Sequence, residues 1–253
     1  MDEQPQRTAT KRDAQKAQAR EAVLTAAAKL FATSGYKGAS IDDIAEASGV
    51  RKNTLLYHFG SKEALWRAVV DHVFAEVDAF FAAELPRAAR DSREGFEALA
   101  RLYFRACLRH PAYVLIPMLE GVTAGWRCDY IADNHLRRHV QNFDAYVRRL
   151  VALKVLPDVD PLHLQNLLTG GAQLFLSLAP LWRTTLNRET DTEEFVEAYA
   201  RSTLGLLRHA GAPRTPDRND PLAKLSTKWS VWSLTNWSKR RIGPAEAEGE
   251  EER

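Results

Sequence analysis

Within nine residues, Arg51-Lys52-Asn53-Thr54-Leu55-Leu56-Tyr57-His58-Phe59 gathers two cations, a carboxamide, a hydroxyl, a phenol and an imidazole, with no carboxylate among them. That set suits the surface of a nucleic acid. Asn pairs a donor and an acceptor with an adenine edge, Tyr reaches a phosphate or a thymine methyl, and Arg and Lys neutralise phosphates. On a helix turning 100° per residue, Phe59 falls about 40° from Leu55, whereas Asn53 and Tyr57 fall roughly 160° to 200° away. Leu55 and Phe59 therefore share a buried face, and Asn53 and Tyr57 project together from the opposite one. Arg51 and Lys52 occupy the helix N-terminus, the end that meets base edges in a helix-turn-helix, with Thr54 and His58 on the flanks. Ser40 and Lys62, each at a helix N-terminus, are placed to grip phosphates.

Other chemistry finds little footing. There is no G-x-S-x-G, P-loop, H-E-x-x-H or G-x-G-x-x-G, and Gly170-Gly171 lies inside an apolar helical pattern that close packing explains. His135 and His139 stand one turn apart without a third ligand at clear spacing, so no metal site is expected. Cys107 and Cys128 form no C-x-x-C pair, which argues against a disulfide framework and for a reducing compartment. The reading is a non-enzyme with no cofactor.

The elements that must carry the outward face are helices, because apolar residues recur at three and four and strand alternation is scarce. The chain reads as all-α. A basic arm over 1–18 is expected to be mobile, followed by a first helix from about Ala19 with Val23, Ala27, Leu30 and Phe31 inward, stopping near Gly35. Ser40, with Asp43 three residues on, opens a two-turn helix that ends at Ser48-Gly49. The third short helix closes at Gly60. Two short helices joined by a tight Gly-containing turn form a helix-turn-helix, which places a DNA-binding domain at 19–66. Longer helices are predicted over 62–85, 92–109, 112–125, 131–153, 161–179 and 191–209.

Composition sets the outer bounds. The chain has 253 residues, 45% hydrophobic and 27% charged, with 13 Gly and 11 Pro, so collagen-like and wholly disordered readings fall away. Its 35 basic against 33 acidic residues leave +2, which by itself argues nothing about nucleic acid; position matters more than total. No stretch approaches the roughly 18 apolar residues of a membrane helix, and the start has no apolar h-region, so a cytoplasmic protein is expected.

The run TAAAKLFATSGYKGASIDDIAEASGVRKNTLLYHFGSKEALWRAVV resembles the DNA-binding domain of TetR-family transcriptional regulators. The resemblance covers about Ala19 to Val70, and IAEASGV followed by TLLYHFGSKEAL is its specific core. It implies recognition-helix contacts at Arg51, Lys52, Asn53, Thr54, Tyr57 and His58, and a phosphate-gripping lysine at Lys62. One position departs from the pattern: Leu56 stands where many members carry a tyrosine. The resemblance also implies a larger helical effector-binding and dimerisation domain, here 67–212, with a small-molecule pocket and a homodimer seam formed by the last two helices. Tyr103, Trp126, His139, Phe143 and Gln173 are then pocket candidates, and Phe175, Leu176, Phe195, Tyr199, Thr203 and Leu206 seam candidates.

After a Pro-bearing linker from Pro213, the 213–253 tail carries Trp229, Trp232 and Trp237, then Lys239-Arg240-Arg241, and ends rich in Glu. Trp and basic residues cluster so at membrane surfaces, but the acidic end would repel anionic lipid, so a membrane partner is not expected. The expected partners are operator DNA, a second copy of the chain and a small-molecule effector of unknown identity. The function expected is a ligand-responsive repressor on a pseudo-palindromic operator; the alternative is a helical small-molecule binder with a vestigial DNA-binding head.

Overall fold

The computed structural model describes residues 11–88 and 91–209; Arg7 of the arm and the tail with its Trp, basic and Glu-rich segments lie outside them. The described residues form helices and contain no strand, so the architecture is all-α. Helix α1 (Lys11–Gly38) begins well before Ala19, the start read from the sequence. The mobile-arm expectation is thus corrected for residues 11–18: Ala14, Gln15, Lys16, Ala17 and Gln18 are strong helix formers, and they extend the helix on propensity while staying exposed. Gly35 breaks α1 at φ 67° and ψ 174°, a conformation open to glycine and strained for other residues.

Helix α2 (Ile41–Ser48) opens with a full capping box, Ser40 Oγ accepting from the Asp43 N–H and the Asp43 carboxylate accepting from the Ser40 N–H. Hydrogen bonds to the carboxylate from the Ser40 hydroxyl and then from the Ser40 N–H hold the Asp43 carboxyl below its ordinary value. Gly49, left-handed at φ 67°, ends α2 by donating to the Ala45 and Glu46 carbonyls, and α3 (Lys52–Phe59) follows at once. Val23, Leu24, Ala27 and Phe31 of α1, Ile44 of α2 and Leu55 and Phe59 of α3 close a core on Leu65 and Trp66 of α4 (Lys62–Ala88). Pro86 lies in the last turn of α4, which ends two residues further on rather than before the ring.

Helix α5 (Arg93–Arg109) starts at Ser92, whose Oγ accepts from the Gly95 N–H. Helix α6 (Ala112–Glu120) stops at Gly121, short of the predicted residue 125, and α7 (Trp126–Ile131) passes through a π-helical turn, Ala132–Leu136, into α8 (Arg137–Ala152). Asp160 caps α9 (Pro161–Ser177) by accepting from the Leu162 N–H. A break at Leu178 separates α10 (Ala179–Leu186), which the sequence reading merged or missed, and α11 (Glu193–His209) completes the described chain.

A second core gathers α5, α6, α8, α9 and α11 around Phe104, Val147, Leu150, Leu168 and Phe175. Gly171 of α9 makes room for the Tyr199 ring of α11: a Cβ there would stand 1.9 Å from Tyr199 Oη and 2.8 Å from its Cζ. Gly171→Ala is therefore expected to destabilise the fold by about 1–3 kcal/mol, since a rigid ring must move, and Tyr199→Phe should restore part of the loss by removing the nearer atom. Urea denaturation of the two single variants and the double variant checks this; an unchanged midpoint for Gly171→Ala would contradict the packing.

Candidate functional site

Burial sorts α3 as the helical wheel requires. Leu55 is fully buried and Phe59 nearly so, while Arg51, Lys52, Asn53 and Thr54 are exposed and Tyr57 is 80% exposed, with His58 intermediate beside it. A phenol standing that far into solvent on a short, well-anchored helix is a contact waiting for a surface. No side chain caps the α3 N-terminus, so its first N–H groups face outward and favour anions. The helix is pinned from behind by Arg20 of α1, whose guanidinium lies 5.4 Å from the centre of the Phe59 ring. Arg20 thus packs on the reading helix, a role that the sequence reading of a basic arm did not contain.

Two of the predicted phosphate contacts have partners inside the protein. Lys52 Nζ lies 2.9 Å from the Asp42 carboxylate, an exposed pair that a phosphate can replace at small cost. Lys62 Nζ stands 4.6 Å from the centre of the Tyr36 ring, a cation–π contact within the protein. Ser40 serves α2 through its cap and keeps its place beside the exposed N-terminal turn.

The head is joined to the other helices through Tyr36, the residue after the Gly35 break. Its N–H donates to Glu120 Oε1 at 2.8 Å, and Arg127 Nε donates to Glu120 Oε2 at 2.5 Å. Glu120 is only 8% exposed, and these two donors meet its carboxylate there. Trp66 meets Trp126 edge-on at 5.1 Å, and Arg67 stacks between Trp126 and Tyr130 at 4.7 and 4.5 Å. Below them Asp71 accepts from the Tyr130 hydroxyl at 2.8 Å and meets His135 Nε2 at 2.9 Å.

This arrangement divides the pocket candidates. Trp126 packs on Trp66 and Tyr36 at the junction with the head, and His139 Nε2 stands 3.0 Å from Asp78 of α4 with its ring near Phe74. Tyr103 and Phe143 pack against the second core, and Gln173 follows Thr169 by one turn of α9. Tyr103 reaches Thr169 and Cys107, with Tyr113 close by. Burial raises the Tyr103 and Tyr113 hydroxyls well above their ordinary range and pushes the Cys107 thiol up to about 12. Thr169, Cys107 and Tyr113 were missed because small or aromatic residues on an apolar face read as core.

The seam candidates divide by burial as well. Phe175 and Thr203 are buried in the chain's own core, and Leu176, Phe195 and Tyr199 pack partly against it. The rings of Phe195 and Tyr199 stack on each other and meet Phe175 edge-on. Only Leu206 of the set is largely exposed, at 75%. On α9 and α10 the large apolar side chains left in solvent are Leu162, Leu167, Leu174, Leu181 and Leu186. Periodicity alone does not say which of two apolar stripes on a helix meets the nearer partner.

Fold and site together define a DNA-binding regulator: a small helical head with one outward reading helix, locked to a larger helical body. Residues 23–69 match the family model of "Bacterial regulatory proteins, tetR family". The chain is similar to the HTH-type transcriptional repressor NicS of Pseudomonas putida, 29% identical over 106 residues, 42% of this chain and 50% of that protein. It is also similar to the HTH-type transcriptional regulator RutR of Escherichia coli K12, 27% identical over 203 residues, 75% of this chain and 90% of that one. Among solved structures, AibR in complex with isovaleryl coenzyme A and operator DNA superposes with a TM-score of 0.55 at 23% identity, covering 75% of this chain and 97% of that one. The match places a DNA-binding domain of the tetR type at residues 23–69. No helix among the described residues is long and apolar enough to cross a membrane.

Two outcomes check the site. Asn53→Ala should cost about 1–3 kcal/mol mainly at one base pair, whereas Lys62→Ala should weaken binding to all sequences alike and lower the salt slope by roughly 0.9. Salt-dependent binding titrations on variant operators separate the two; equal losses on every sequence from both changes would contradict the assignment. In the interior, Cys107 should resist alkylation at pH 8 until denaturant is added, as mass spectrometry can follow. The sign for stability agrees: the unfolded thiol ionises near its ordinary value of 9.0 while the buried one holds its proton to about 12, so this contribution is lost as pH rises across that interval.

Proposed function

We propose that the protein is a transcriptional repressor that binds a pseudo-palindromic operator as a homodimer and is released by a small-molecule effector. The observation that carries the reading is the exposed Asn53–Tyr57 face on a helix fixed by Leu55 and Phe59 and by the Arg20 contact behind it. Two copies would place their α3 helices in successive major grooves about 34–36 Å apart. The exposed stripe of Leu167 and Leu174 on α9, with Gly170 open between them, supports dimerisation through α9, joined by Leu206 of α11. A glycine in such a stripe lets a second backbone approach.

The effector reading rests on the polar group formed by half-buried Tyr103 and Thr169 and buried Cys107, with Gln173 one turn further along α9, against an apolar core. The neighbour AibR was solved with both an acyl-coenzyme A and operator DNA, which supports coupled ligand and DNA binding in this architecture. Here α6 and α7 would carry the coupling: an effector that moves them shifts Glu120, hence Tyr36 and the head. The role is regulatory, without catalysis.

Selection from a random operator library at fixed salt, with sedimentation of the free protein, tests the proposal. A two-fold symmetric site and a micromolar-stable dimer are expected, and Leu167→Asp with Leu174→Asp should give monomers that lose operator affinity. Absence of sequence preference, or a wild-type monomer at micromolar concentration, would overturn it.

A further inference from the structure

Helices α1 and α4 bring together side chains that the DNA-reading role does not use. Glu21 of α1 and His72 and Glu76 of α4 place one ligand atom each within 4.8 Å of one another. His72 Nε2 stands 3.2 Å from Glu21 Oε1 and 3.5 Å from Glu76 Oε1. In a tetrahedral zinc complex with bonds of about 2.0–2.2 Å, neighbouring donor atoms lie about 3.3–3.6 Å apart, close to both distances measured from His72 Nε2. Hydrogen bonding accounts for the cluster poorly. One Nε2–H cannot point at two carboxylates at once, and the two carboxylates repel each other across it.

A fourth group completes the setting. His110, the residue that ends α5, places Nδ1 3.3 Å from Glu76 Oε2, the oxygen turned away from His72. That is the relation of an outer partner that fixes the direction of a ligating carboxylate. His72 is largely sheltered while Glu21 and Glu76 are partly exposed, which leaves the remaining coordination position to water.

We propose that Glu21, His72 and Glu76 form a binding site for a divalent transition-metal ion of the zinc class, with His110 as a positioning residue for Glu76. The imidazole selects this class over magnesium, which prefers an all-oxygen octahedron. Two carboxylates balance the charge of the ion. The bound ion ties the first helix of the DNA-binding head to the long helix that leads out of it, and through His110 to the α5–α6 corner.

The full-length protein, freed of metal with a chelator, is dialysed against Zn(II) or Mg(II), and its metal content measured; Co(II) then serves as the visible-absorption probe of coordination. One zinc per chain and a Co(II) spectrum of low coordination number are expected, with no comparable uptake of magnesium. His72→Ala, Glu21→Gln and Glu76→Gln should each abolish this uptake, and His110→Ala should weaken it about 10–100-fold. His135→Ala and His139→Ala should leave it intact. Glu21 lies on an exposed face of α1, so Glu21→Gln tests the site without threatening the fold, as circular dichroism verifies. Failure to take up zinc, or uptake unchanged in both His72→Ala and Glu21→Gln, would overturn the proposal.

Discussion

A carboxylate taken out of water must be met by donors, and Glu120 meets them on both sides of the seam between the head and the body. One oxygen accepts the main-chain N–H of Tyr36 in the head, the other accepts from Arg127. Removing either donor would leave a buried charge short of a partner, a penalty that ordinary packing does not offset. The position of the head on the body is therefore set by a charged contact of defined geometry. Tyr36 can offer its N–H because Gly35 breaks the helix immediately before it, in a conformation unstrained for glycine. Around this contact, Lys62, Arg67 and Arg127 lie on the rings of Tyr36, Trp126 and Tyr130, so the seam holds cations over aromatic faces.

Helix α4 is the structural consequence. Its first turns complete the head through Leu65 and Trp66, and its middle meets α6 and the π-helical turn through Phe74 and Asp71, and α8 through Asp78. A displacement of α6 or α7 has to be transmitted to α4 and α1, because both seat the same rings. Close-packed interiors deform in discrete steps. The head is thus coupled to the body by contact, while α3 remains free on its outer side.

Much of the head was legible in the chain because its signals are local. Ser40 with Asp43 announces a cap, Gly49 a turn, and Leu55 with Phe59 a buried stripe whose opposite side must carry Asn53 and Tyr57; each rests on residues within one or two helical turns. The body resisted in proportion to its dependence on distant partners. Phe175 and Tyr199 have the periodicity of a seam, and they turn inward because Gly171 admits the Tyr199 ring. Trp126 looked like a pocket residue until Trp66 and Tyr36 claimed its faces. Likewise the sequence reading passed over His72 and Glu76, one turn apart, because Glu21 reaches them only when α1 lies against α4.

By itself the sequence determined an all-helical chain, the bounds of the reading helix and the side of it that faces outward. Those features follow from backbone geometry and from the side-chain period of a helix, which act over a few residues whatever the remainder does. The tertiary structure decided which apolar stripes are consumed inside the chain, which rings receive the cations, and that a glutamate at the end of α6 holds the head. Such choices turn on burial and on pairing between residues as far apart as Tyr36 and Glu120, where the free energy of a charge or a ring depends on what is packed beside it.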